Sequence, residues 1–81
     1  MKKPDPLNVD VRPICEEGKS PLGTILDKVD TLIPRQDLIL IVPFEPIPLY
    51  GLLAQRGFTH ECRLRPDDAW EITFHPGSEM I

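Results

Sequence analysis

The chain has 81 residues, 41% of them apolar and 27% charged, which is the composition of an ordinary globular protein with room for one core and no second domain to form a cleft. A net charge of −4 without any basic run excludes a phosphate-backbone binder, so nucleic acid is not expected as a partner, and no apolar stretch is long enough to cross a membrane. The start, Met1-Lys2-Lys3-Pro4-Asp5-Pro6, has the charges of a secretion signal but not its apolar core; together with two cysteines, Cys15 and Cys62, outside any C-x-x-C spacing, this predicts a cytoplasmic protein with reduced thiols.

Leu7 to Arg12 alternates strictly, which predicts a half-buried strand with Leu7, Val9 and Val11 on one face and Asn8, Asp10 and Arg12 on the other. A loop, Pro13 to Lys19, follows. Ser20-Pro21 offers an N-cap hydroxyl and then a proline at the first helical position, and Leu22, Ile25, Leu26, Val29 and Leu32 recur at helical spacing before Pro34 stops the helix. Leu38 to Val42 is apolar on both faces and rich in β-branched residues, as strands in the middle of a sheet are. Pro43 to Pro48 is a stiff connection into a short second helix carrying Leu49, Leu52 and Leu53, which Gly57 ends. Phe58, His60, Cys62 and Leu64, then Trp70, Ile72 and Phe74, alternate with polar residues on either side of a Pro66-Asp67-Asp68 turn, the pattern of an antiparallel hairpin.

The order β-α-β-α-β-β, with right-handed crossovers, predicts a two-layer α/β sandwich: a mixed four-stranded sheet with both helices on one face and an ordered core from about residue 7 to 75. The open face is expected to be polar except for Ile39 and Ile41, which either form a contact strip or lie under long neighbours such as Arg63. Cys62 is expected to be a buried packing thiol beside Phe58 and Leu64. Trp70 is expected to pack from the hairpin onto a helix, and Trp70→Ala to rank among the most damaging single changes.

Several of these segments also carry a resemblance. Asp10-Val11-Arg12, the Gly18 to Pro21 approach to the first helix, Pro43-Phe44-Glu45-Pro46-Ile47-Pro48-Leu49-Tyr50, Arg56-Gly57-Phe58 and Trp70-Glu71-Ile72 together resemble an uncharacterised family related to the TusA (SirA-like) sulfur carriers. The resemblance covers about Leu7 to Phe74 and implies the same β-α-β-α-β-β sandwich, but no reaction. The carriers use a cysteine in a Cys-Pro-x-Pro motif at the start of the first helix. Aligning the helix-entry proline with Pro21 puts Gly18 in the cysteine's place and Lys19 in the first proline's, so that motif is broken here. Cys15 lies three residues earlier, beside Glu16 and Glu17, which raise a thiol pKa, while Arg12 and Lys19 act the other way.

No phosphate loop, nucleophile elbow or dinucleotide fingerprint occurs, so no cofactor is expected, and His60, Cys62 and His75 lack the fourth ligand and the common face that zinc needs. Asp10 is expected to order the first loop and Asp67-Asp68 to form a turn. The carboxyl ends of the first two strands share a rim, where α/β sites usually lie, so the loops 12–20 and 43–48 face each other. Pro43, Pro46 and Pro48 have no N–H to offer an anion, but they hold Phe44, Ile47 and Tyr50 in place. The expectation is an interaction or regulatory module whose rim, formed by Arg12, Lys19, Phe44, Glu45 and Ile47, docks a protein partner. Two alternatives stand beside it: a persulfide carrier using Cys15, and a purely structural role in which Phe44 and Ile47 staple the helix to the sheet.

Overall fold

The computed structural model describes residues 4–77. Seven elements follow one another: β1 (Leu7–Asp10), α1 (Arg12–Glu16), α2 (Leu22–Val29), β2 (Leu38–Val42), α3 (Ile47–Ala54), β3 (Phe58–Leu64) and β4 (Trp70–Pro76). The four strands form one sheet in the order β1-β2-β4-β3. β1 runs parallel to β2, and β4 lies antiparallel to both β2 and β3, so the sheet is mixed and β2 is interior, as its two-sided apolar sequence requires.

The register sorts the side chains by face. Val9, Leu40 and Ile72 stand side by side across three strands, as do Leu7, Leu38 and Phe74. These residues join Ile25 and Val29 of α2 and Leu49 and Leu53 of α3 in one core, which puts both helices over the same face. On the opposite face Asn8, Ile39, Thr73 and Glu61 form one row, and Asp10, Ile41, Glu71 and Arg63 the next.

The first strand is shorter than the alternation predicts. The Asp10 carboxylate turns back to accept the Arg12 N–H at 3.0 Å, and the chain enters α1 at once. The expected loop is therefore a one-turn helix with Pro13 near its start, closed by Gly18 at φ +79°. Gly18 N–H donates to the Cys15 carbonyl and Lys19 N–H to that of Ile14, the paired bonds of a glycine-terminated helix. Ser20 does accept a backbone N–H, that of Leu22 at 3.3 Å, although α2 begins one residue after Pro21 and ends at Val29 rather than Leu32. Gly57, at φ +89°, takes the left-handed position after α3.

One burial expectation is corrected. Cys62 is exposed, because β3 is an edge strand and its helix-facing residues beyond Phe58 lie outside the core. Trp70 packs against the core as expected but is only half-buried at the start of β4, while Phe74, farther along the strand, is fully buried. Ile41 has no helix over it yet is only 8% exposed, so the open face has no long apolar strip. Ile41 sits between Asp10 and Glu71 in the register. Ion pairs run across this end of the sheet from Asp10 through Arg12, Asp67 and Arg65 to Glu71 and Arg63. Long charged side chains on both sides of an apolar residue shield it while their heads stay in water. Among the described residues, no helix is long and apolar enough to cross a membrane.

Candidate functional site

The parallel pairing of β1 with β2 brings their carboxyl ends to one rim, and both chain segments leave it toward helices. After β2 the chain is held by its prolines: Pro46 is buried, Ile47 N–H donates to the Glu45 carbonyl and Leu49 N–H to that of Pro46, each at 2.9 Å. Pro43, Pro46 and Pro48 restrict the backbone, so this turn loses little freedom when something binds against it.

Between the starts of α2 and α3 lies an apolar groove of about 220 Å³, bordered by Ser20 and Pro21 on one side and by Phe44, Pro46 and Pro48 on the other. Val42 and Ile25 contribute to its walls, and Leu22 and Leu52 flank it. Phe44 is 48% exposed and Ile47 61%, large values for apolar residues held on a stiff turn. These exposures leave less support for the structural alternative, in which the two side chains staple the helix onto the sheet. Leu49 and Leu53 hold α3 in place instead, because theirs are the buried side chains of that helix.

The charged residues expected at the rim do not line the groove. Arg12 grips Asp10 with its Nε and Nη2, at 3.0 and 2.7 Å, and reaches Asp67 at 3.3 Å, so its charge is committed to the sheet's open face. These contacts hold the Asp10 carboxyl below its ordinary range and raise the guanidinium further above its own. Lys19 is 73% exposed and pairs with Glu17 at 3.4 Å. Glu45 turns toward β3, where its carboxylate accepts the Tyr50 hydroxyl at 3.2 Å and lies 3.8 Å from the Cys62 sulfur. Tyr50, which the sequence places beside Phe44 and Ile47, instead stacks on His60. What remains at the rim is apolar. A signal that could have pointed to the groove is the proline at each helix start, Pro21 before α2 and Pro46 and Pro48 at α3.

Cys15 lies in α1, half-buried against the core, and its backbone N–H donates to the Val11 carbonyl. Burial pushes its thiol above the ordinary range, and the negative charge of Glu16 adds to the effect. Neither cation expected to counter this offsets it: Arg12 is bound to Asp10, and Lys19 is exposed beside Glu17.

The fold and rim define a small mixed α/β sandwich whose carboxyl-end surface offers apolar contact area rather than a set of titratable groups. The chain belongs to the family described as "Uncharacterized conserved protein (DUF2249)", whose sequence model matches residues 8–76. No curated protein and no solved structure matches it.

Proposed function

We propose that the protein is a small cytoplasmic interaction or regulatory module that docks a protein partner through the rim formed by loops 12–20 and 43–48. The observation that carries this reading is the groove itself: about 220 Å³ of apolar space with Phe44 on its border and the exposed Ile47 next to its prolines. A groove of this size takes one or two apolar side chains, and anchor residues seated in preformed pockets contribute most of the affinity at protein interfaces. The cytoplasmic assignment is supported by two cysteines that stay free thiols. Kinship with the TusA carriers belongs to the same proposal, supported by the strand and helix order and by the segments quoted above. The carrier reading for Cys15 has less support, because its thiol is pushed up and the carrier motif is broken at Gly18 and Lys19.

The test is capture of binding proteins from the source cell on immobilised wild type and on a Phe44→Ala/Ile47→Ala double variant. A protein retained by the wild type and lost by the folded variant supports rim docking. Equal recovery of every captured protein on both overturns it.

A further inference from the structure

The two edges of the sheet are built differently. β1 has four residues and follows Pro4 and Pro6, which makes it a poor template for another strand. β3 has seven residues, with no proline, glycine or bulge, and pairs residue for residue with β4 from Phe58 to Leu64. Arg65 N–H donates to the Ala69 carbonyl across the hairpin, so Arg63, Glu61 and Thr59, at alternate positions, also direct their backbone groups toward β4. The N–H and C=O groups of His60, Cys62 and Leu64 therefore point away from the sheet. Among the described residues no other segment bonds to them. Leu64 adds a side chain that is 56% exposed at this edge.

We propose that β3 is a homodimerisation edge, pairing antiparallel with β3 of a second copy about a two-fold axis through Cys62. Outward-directed backbone groups must meet one another, which allows only registers in which even-numbered residues oppose even-numbered ones. Charge then selects among these registers. Pairing centred on Glu61 sets Glu61 against itself. Pairing centred on Cys62 sets Glu61 opposite Arg63 of the second copy, twice by symmetry, and lays His60 against the exposed Leu64. Pro66 ends the ladder, because it has no N–H to offer Phe58 of the other chain. The two sheets become one continuous sheet. The groove is lined from Ser20, Pro21, α2, β2, α3 and the turn between the last two, with no residue from β3, so the two surfaces are separate.

The experiment is sedimentation equilibrium on the full chain up to high micromolar concentration, and the expected species has twice the 9.2 kDa mass of one chain. Glu61→Arg and Arg63→Glu, each alone, place like charges opposite each other and should weaken the dimer about tenfold, and the two together should restore it. In a Cys15→Ser background, a short thiol-to-thiol bis-maleimide should yield a covalent dimer through Cys62, because directly paired residues at a hydrogen-bonded position lie about 5.5 Å apart at Cα. Cys62→Pro removes the N–H at the axis and should leave a folded monomer. A wild-type chain that is monomeric at every concentration overturns the proposal, including the case in which β3 serves a different protein. So does a dimer indifferent to both single charge reversals, or a folded Cys62→Pro chain that still dimerises.

Discussion

Tyr50 lies flat on His60, with ring centroids 3.8 Å apart and planes 8° from parallel, while its hydroxyl donates to Glu45. One side chain thus ties the proline-rich turn to the edge strand. Burial is the main cause that pushes the phenol above its ordinary value of 10.0, with Cys62 and then Glu45 adding to it. An acid raised by folding contributes stability that is complete below its unfolded pKa and is lost as the pH climbs above that value. Tyr50 is the only tyrosine in the chain, so phenolate absorbance reports on it alone. The ionisation midpoint of the folded protein should lie above 10.0, and stability should fall only beyond that pH. Tyr50→Phe should cost about 0.5–1.5 kcal/mol at neutral pH through loss of one hydrogen bond. A midpoint at or below the ordinary value contradicts this geometry.

Asp10 and Arg12 make a second testable pair. The Asp10 carboxyl is held low first by its hydrogen bonds from Arg12, and the side chain is 43% exposed, so solvent screens most of the attraction. Asp10→Asn keeps the oxygen that accepts the Arg12 N–H but removes the charge. It should destabilise by about 0.2–1 kcal/mol at pH 7. Because folding depresses this pKa, the stability is present above the ordinary 3.8 and is lost as the pH falls through the lowered value. Thermal midpoints of wild type and variant should therefore converge in acid. A gap that persists or widens there would mean the charge is not what the variant lost.

Phe74 is fully buried where β2, β4 and the helices meet, and Trp70 is half-buried nearer the rim. Removing a buried aromatic costs about 3–5 kcal/mol, a large part of the stability of a small domain. Phe74→Ala should therefore be the worse of the two substitutions in chemical denaturation, and Trp70→Ala the milder. The reverse order would place the centre of the core nearer the rim than Phe74 lies.

The strands and their faces were legible because burial imposes strict periods on this chain. Val9, Leu40, Ile72 and Phe74 all fall on the face that alternation assigns them. Three things were harder to see. Arg12–Glu16 is helical where a loop was expected, following the turn in which Asp10 accepts the Arg12 N–H, and the readable sign was Pro13 near the start with Gly18 past the end. Cys62 has the right parity for the core, but parity does not tell an edge strand from an interior one. Arg12 was assigned to the rim by chain position, and its capture by Asp10 and Asp67 depends on a hairpin turn more than fifty residues away in sequence. That loops 12–20 and 43–48 face each other was legible, whereas the groove between them is lined by Ile25, Val42 and leucines that their spacing assigns to the core.

Cys15 and Cys62 should react differently. Cys15 is half-buried with a raised thiol pKa, and Cys62 stands exposed on the edge strand. In single-cysteine variants, Cys15 should react with a disulfide reagent at neutral pH more slowly than a free thiol and more slowly than Cys62. Incubation with a cysteine desulfurase and cysteine should leave Cys15 without added sulfur, and Cys15→Ser should keep the fold. Stoichiometric persulfide on Cys15 by mass spectrometry would bring the carrier reading forward.

Rim docking is tested most directly by amide hydrogen exchange on the protein bound to a partner obtained by capture. Phe44, Glu45, Ile47 and Leu49 report on the turn, whose three prolines have no amide, and Lys19, Ser20 and Leu22 report on the facing loop. Docking at the groove predicts new protection on both of these segments, with β3 and the Asn8 to Asp10 edge unchanged. Protection confined to β3 or to the open face of the sheet, with the amides at 44, 45 and 47 exchanging as in the free protein, would contradict it.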